Sequence, residues 1–320
     1  PVHEFIVPKD RSAKLTSSIM NGVNIIVHMD GGSWKEETAK KYRTHARMLE
    51  DYIDNVDRDP RWIFYTAQSY HDSACITSNE PENMERLRRS MKYYSERLGI
   101  SGGYREERFY AQYRIGTIFY RLQRPWEDVK EQLLKAYRMD SLRAEPFKLI
   151  IEHYQQSGDW AMAHMYSAIA YITFHNKNPY PNRVLFVDNI LYEWKILEMY
   201  ANSCFYFNKK DEARDRHNEL MGIMQQKPHL FTDEEKQKLT NNNRFFNNVP
   251  QQQPQPQTQI NTRLQQAAPV NNSPNVLREE PKEDYKKTIE ELLSDEQKVK
   301  YDNYKKSIPI NYIQIMVVFL

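Results

Sequence analysis

The sequence predicts a mainly α protein: helical pairs stacked as a solenoid, with a short β-containing stretch ahead of them and a polar, unstructured tail behind. Three observations carry this expectation. Glycine is scarce, 9 of 320 residues, against 22 Tyr and 13 Phe. Parallel sheets and phosphate-cradling loops need glycine for their turns, and helices do not. Apolar residues recur at three- and four-residue steps from Trp34 to about Gln226, the period of a helix with one buried face. Aromatic and small side chains then return at a constant offset along that same zone.

The first stretch, 1–33, holds two short β-branched runs, Val2–Val7 and Val23–His28, and the second is followed by the turn-forming Met29-Asp30-Gly31-Gly32-Ser33. Two short strands are not stable alone, so they are expected either to belong to a sheet whose other strands lie upstream of Pro1 or to anneal onto the helices. A connecting helix is expected over 34–58, where Ala46, Leu49, Tyr52, Ile53 and Val56 mark one face. Asp59-Pro60 then reads as a helix start, with Pro in the first turn. Helical repeats are expected over 59–226. From about Thr240 to Glu280 the composition turns polar, with five Asn in 241–248 and eight Gln in 251–266. Such a segment buries too little apolar surface to offset its ordering entropy, so disorder is expected over 240–280. The last zone, 282–320, reads as a charged helix with a narrow stripe of Tyr285, Ile289, Leu292 and Leu293, then an apolar tail, Ile310–Leu320.

The offset within the helical zone is 34 residues. It relates Tyr120 to Tyr154, Trp126 to Trp160, Ala136 to Ala170 and Tyr137 to Tyr171. A 34-residue period is that of tetratricopeptide repeats, two antiparallel helices per unit stacked on the next pair. Flanking units stand at a longer offset, with the additional residues in loops over Cys75–Glu82 and Asn176–Arg183, giving about four helical pairs. Small residues at Ala136, Ala163, Ala170 and Ala213 allow close helix approach, and the Tyr and Trp positions fill the gaps between units.

Charge and cysteine content narrow the function classes. The 45 basic and 43 acidic residues leave a net charge of +2, so no broad positive field attracts nucleic acid. A mean hydropathy of -0.84 argues against an integral membrane protein, and the 11 residues of the final apolar run are too few to span a bilayer as a helix. Cys75 and Cys204 are the two cysteines; they make neither a metal-spaced cluster nor a disulfide framework. Both are expected as buried thiols in a reducing, cytoplasmic setting. The chain opens at Pro1 rather than Met, so a fragment of a longer protein is expected.

The order of motifs resembles the C-terminal part of family 2 glycosyltransferases that carry tetratricopeptide-like repeats. Val2-His3-Glu4-Phe5 and Ile26-Val27-His28 are similar to the end of a GT-A catalytic domain. Lys40–Glu50 and Asp59–Tyr70 continue the likeness, and Gly102-Gly103-Tyr104-Arg105-Glu106-Glu107-Arg108-Phe109-Tyr110 is its sharpest part. Arg143-Ala144-Glu145-Pro146 and Leu185-Phe186-Val187 complete it, and it ends at about Met224. The resemblance implies a parent enzyme that uses a nucleotide-sugar donor and a divalent metal, Mn or Mg. In the family the donor-binding strands, the metal-binding Asp-x-Asp motif and the catalytic base all precede the His-Glu segment, with which this chain begins. No metal or donor is therefore expected to bind this chain alone, and an isolated fragment is expected to be inactive.

Three residues are candidates for chemistry. A departing nucleoside diphosphate needs a divalent cation held by carboxylates and sometimes one His. His3 and His28, each beside a strand-like run, are the candidate metal ligands, and Glu4 is the candidate catalytic residue, set to orient a ligand or meet an acceptor hydroxyl. The competing reading gives all three structural roles. Glu106 and Glu107 are expected in the first turn of a helix, complementing its positive end. Arg143 and Glu145 are expected to pair across the turn into Pro146. The partners implied are an acceptor protein or glycan, with a homodimer through the repeats as a further possibility. A different class also fits the sequence: a non-catalytic repeat scaffold binding an extended peptide in a helical groove.

Overall fold

A computed structural model of the chain describes residues 38–75, 80–177 and 185–247. Ten α-helices account for most of them: α1 (Thr38–Asn55), α2 (Pro60–Cys75), α3 (Glu80–Gly99), α4 (Arg105–Arg121), α5 (Trp126–Met139), α6 (Glu145–Ser157), α7 (Trp160–Phe174), α8 (Ile196–Tyr206), α9 (Lys210–Gln226) and α10 (Asp233–Asn247). A π-turn, Leu191–Lys195, leads into α8, and a 3-10 turn, Pro228–Leu230, precedes α10. No strand occurs among the described residues, and no helix among them is long and apolar enough to cross a membrane. The expected β stretch over 1–33 and the expected charged helix and tail over 282–320 lie outside the described residues.

The chain forms two compact units. The first comprises residues up to Pro146 together with Pro181–Val187; the second comprises Phe147–Tyr180 and Asp188 onward. In the first unit each helix runs antiparallel to the next. Arg105, which opens α4, donates to the Met139 carbonyl at the end of α5 (3.1 Å), Gln112 reaches the Gln132 carbonyl (3.2 Å), and Tyr120 meets Trp126 edge-on at 6.4 Å. Helices two apart run parallel. Arg61 faces Glu107 (4.0 Å), Phe64 faces Tyr110 (6.2 Å) and Arg121 donates to the Ala74 carbonyl (3.3 Å), a near-constant offset between α2 and α4. The core around them includes Ile63, Phe64, Tyr94, Phe109 and Ile118, all fully buried. Gly116 lets α4 and α5 touch, since a Cβ there would stand 2.7 Å from Leu133 Cδ2.

The second unit repeats the scheme. Tyr154 stacks on Tyr166 (5.7 Å), Tyr171 on Tyr200 (5.0 Å) and His164 on Phe207 (4.8 Å), so α6–α7 and α7–α8 are antiparallel. Gln155 of α6 donates to the Met199 carbonyl (2.8 Å), and Tyr171 and His175 both reach Glu219 of α9 at 3.2 Å, which pairs helices two apart. Trp194 donates to the Leu230 carbonyl (3.2 Å) and stacks on Phe231 (4.6 Å), tying the 3-10 turn to the helix ahead of α8. A capping box fixes the start of α10: Thr232 N–H donates to Glu235 (2.8 Å) and Glu235 N–H to Thr232 Oγ1 (3.2 Å).

The 34-residue offset maps helix onto helix. Trp126 opens α5 and Trp160 opens α7, Tyr120 and Tyr154 lie near the ends of α4 and α6, and Ala136 and Ala170 are both fully buried. With α2–α3 and α8–α9 this makes four consecutive pairs, as the sequence predicts. Two expectations need correction. Residues 240–247 are not part of an unstructured linker; they complete α10, because Leu239 and Phe246, two turns apart, share one helical face and are 2 % and 4 % exposed. The run of Asn hides this, since its apolar positions are sparse. Cys204 is buried as expected, but Cys75 is exposed at the last position of α2.

The turn from α3 to α4 shows why two glycines stand together. Gly102 and Gly103 have φ of +82° and +73°, and a Cβ on Gly103 would lie 2.5 Å from Arg97 Nη2. Gly102 faces open space. Gly102→Ala is therefore expected to cost only the left-handed backbone penalty, about 1–2 kcal/mol. Gly103→Ala adds displacement of a buried guanidinium and is expected to cost clearly more. Urea unfolding of the two variants measures this, and equal losses would contradict the geometry.

Candidate functional site

Four of the sequence motifs converge in the first unit on one buried charge cluster. Glu106 and Glu107 sit in the first turn of α4, as expected, but they are 7 % and 3 % exposed and do more than complement the helix end. Glu107 stands 3.5 Å from Arg97 and 4.0 Å from Arg61. Burial pushes its carboxyl above the usual range, against the opposing pull of Arg61 and Arg97. Glu106 accepts the Leu185 N–H at 2.8 Å and stands 3.8 Å from Arg143.

Arg143 is fully buried and donates to both Glu145 oxygens (3.0 and 2.9 Å), which bears out the pair expected across the turn into Pro146. It also donates to the Leu185 (3.1 Å) and Phe186 (2.9 Å) carbonyls, and its guanidinium lies over the Phe109 ring at 4.5 Å. Phe186 has φ of +58° and stacks on Tyr110 at 4.1 Å. A left-handed phenylalanine is costly unless its surroundings fix it. Here two carbonyl–guanidinium bonds and a ring stack do so. The cluster is a clamp whose Arg97, Glu106, Glu107, Arg143 and Glu145 are buried, with Arg61 at its partly exposed edge.

A cleft of ≈ 440 Å³ lies on the same unit between α3, α4 and α5. Its floor is Leu98, Ile115 and Phe119, and its rim carries the exposed Arg88 and Lys92. The Gln112 amide donates to the Gln132 side chain at 2.9 Å and closes one end. Apolar floor, cationic rim and amide wall suit an extended ligand with acidic groups.

Two groupings contain nucleophilic or ligating atoms. Cys75 Sγ lies 3.6 Å from His71 Nδ1, which also meets Asp72 at 3.1 Å, and Arg121 donates to the sulfur. This superficially matches a Cys–His–Asp arrangement. Its electrostatics oppose that role: burial lowers the His71 pKa, and partial desolvation of the sulfur raises that of Cys75 against the pull of Arg121 and Arg114 although the residue as a whole is exposed, so the pair rests as neutral thiol and neutral imidazole. In the second unit, His164, Cys204 and Glu212 place ligand atoms within 4.8 Å of one another. The sequence gives no sign of this group, because its members come from α7, α8 and α9 and their spacing matches no metal motif.

The sequence-predicted site residues His3, Glu4 and His28 lie outside the described residues, so the structure neither joins nor separates them. The divalent metal and nucleotide-sugar donor implied for the parent enzyme call for hard oxygen ligands around Mn or Mg. The thiol and imidazole of the grouping in the second unit do not fit that role, and no step through a donor metal follows from the described residues. No protein-family model matches the chain, and none of the curated proteins matches it significantly.

The neutral state of Cys75 has a direct readout. A raised thiol pKa leaves less thiolate at neutral pH, so alkylation by iodoacetamide is expected to be slow at pH 7. It should accelerate about tenfold per pH unit and keep rising beyond the ordinary cysteine pKa of about 8.5. Rapid alkylation independent of pH between 6 and 8 would show an activated thiolate instead. Cys204→Ser, measured in parallel, assigns the signal to Cys75.

Proposed function

We propose that this chain is the helical-repeat part of a nucleotide-sugar-dependent family 2 glycosyltransferase, stacked in the tetratricopeptide manner, and that its repeats seat the acceptor. The observation that carries the repeat reading is the alternation within each unit: antiparallel to the next helix, parallel to the next but one. Contacts such as Arg61–Glu107 and Tyr171–Glu219 fix that alternation. The transferase half of the proposal rests on the motif series from Val2-His3-Glu4-Phe5 to Leu185-Phe186-Val187. In this reading the donor and its Mn or Mg belong to the catalytic half of the parent enzyme, and this chain alone turns over nothing.

The cleft beside Arg88 and Lys92 is the proposed acceptor contact, because a cationic rim over an apolar floor selects an acidic, partly apolar segment. A second reading, a non-catalytic scaffold, is favoured by the same cleft, which is complete without any donor site.

An assay of the parent gene product against a panel of nucleotide sugars, with and without Mn²⁺, separates the two. Turnover that requires Mn²⁺ is expected. Absence of turnover with every donor would remove the transferase reading and leave the scaffold. In the active enzyme, Arg88→Glu combined with Lys92→Glu is expected to raise the acceptor KM by about tenfold or more. Donor hydrolysis without acceptor should not change. An unaltered acceptor KM would remove the cleft from the proposal.

A further inference from the structure

We propose that His164, Cys204 and Glu212 form a binding site for a divalent transition cation of the zinc type, pinning α7, α8 and α9 together. The inference does not depend on the transferase reading, and it departs from the expectation that this chain binds no metal by itself. A ring nitrogen of His164, Cys204 Sγ and a Glu212 carboxylate oxygen lie mutually within 4.8 Å. Ligand atoms on tetrahedral zinc stand roughly 3.3–3.8 Å apart, so side-chain rotations moving each atom by about 1 Å or less close the site.

The surroundings favour a ligand over simple packing. His164 is 8 % exposed, and its Nε2 is buried with no hydrogen-bond partner among the described residues. Buried polar atoms are normally paired, so an orphaned imidazole nitrogen is an unsatisfied acceptor or donor awaiting a partner. Cys204 is fully buried. The imidazole plane is held between Phe207 (4.8 Å) and Tyr200 (5.7 Å), which limits its rotation. Tyr200 donates to Glu212 Oε1 at 2.5 Å and orients the carboxylate, the outer-shell support that metal ligands commonly have.

The donor set decides the cation. One imidazole, one thiol and one carboxylate suit Zn²⁺ or Co²⁺ and not Mg²⁺ or Ca²⁺. Three protein ligands leave the fourth position to water. On binding, the Cys204 S–H bond breaks, its proton goes to solvent and a sulfur–metal bond forms, with no change of oxidation state. Affinity therefore rises with pH. Lys209, whose Nζ lies 3.7 Å from Glu212 Oε2, is the competing cation.

The test is Co²⁺ titration of the metal-free, reduced full chain, followed by optical absorption. The expected result is one equivalent bound, with a thiolate-to-cobalt charge-transfer band that Zn²⁺ abolishes. Cys204→Ser should remove the band and Cys75→Ser should keep it. Lys209→Met should tighten binding, and Glu212→Gln should weaken it by about tenfold or more. Absence of the band in the unaltered chain overturns the proposal, and so does a band that is lost in Cys75→Ser but kept in Cys204→Ser. Should Cys204→Ser fail to fold, Glu212→Gln decides, because this half-buried position tolerates an isosteric change. An unchanged Co²⁺ affinity in Glu212→Gln overturns the site.

Discussion

Arg143 is an always-charged side chain with no solvent exposure, and the first unit is organised around satisfying it. A lone buried guanidinium is untenable. Arg143 is matched by a two-pronged bond to Glu145, by the Leu185 and Phe186 carbonyls, and by Glu106 a little farther away. Glu106 in turn takes the Leu185 N–H. These bonds join the turn before α6, the first turn of α4 and a segment some forty residues along the chain. Arg97, also without exposure, repeats the device at the preceding turn through Glu107 and the Ile100 and Gly102 carbonyls. A buried pair of this kind adds little net stability over an apolar replacement. What it fixes is register, since Arg143 engages Glu145 and the Leu185 and Phe186 carbonyls at the same time.

Between these clamps the packing is generic. Alternating antiparallel and parallel neighbours need small residues where helices cross and aromatic rings where they diverge. Ala136, Ala163, Ala170 and Ala213 are fully buried, and stacked pairs such as Tyr154–Tyr166 occupy the wider gaps. Within each unit, contacts of this type are mostly with the next helix or the next but one, so each helix is supported by its neighbours in the manner of repeat proteins. The cleft over Leu98, Ile115 and Phe119 is a by-product of that stacking, placed where three helices leave apolar surface uncovered.

Much of the fold was legible because its signals are local. The helix start at Pro60 and the equivalence of Trp126 with Trp160 follow from turn chemistry and period alone. The Arg143–Glu145 pair was legible for the same reason, being two residues apart. The attachment of Glu106 to Leu185 was not, because 79 residues separate them and nothing in either motif names the other. The grouping of His164 with Cys204 and Glu212 was hidden likewise by three-helix assembly. The end of α10 was missed for a different reason: its Asn-rich composition masks two well-placed apolar residues, Leu239 and Phe246. The catalytic candidates His3, Glu4 and His28 stand outside the described residues, so the sequence remains their sole support.

The buried charges hold the loop at Leu185–Val187 against α4. Urea unfolding of Arg143→Met measures it directly, because the change keeps an apolar stem of similar reach and leaves Glu106 and Glu145 without their cation. A loss of about 3–5 kcal/mol is expected for breaking a buried ionic set from one side. A loss below about 1 kcal/mol would show that the clamp is incidental and that apolar packing alone sets the register of the helices.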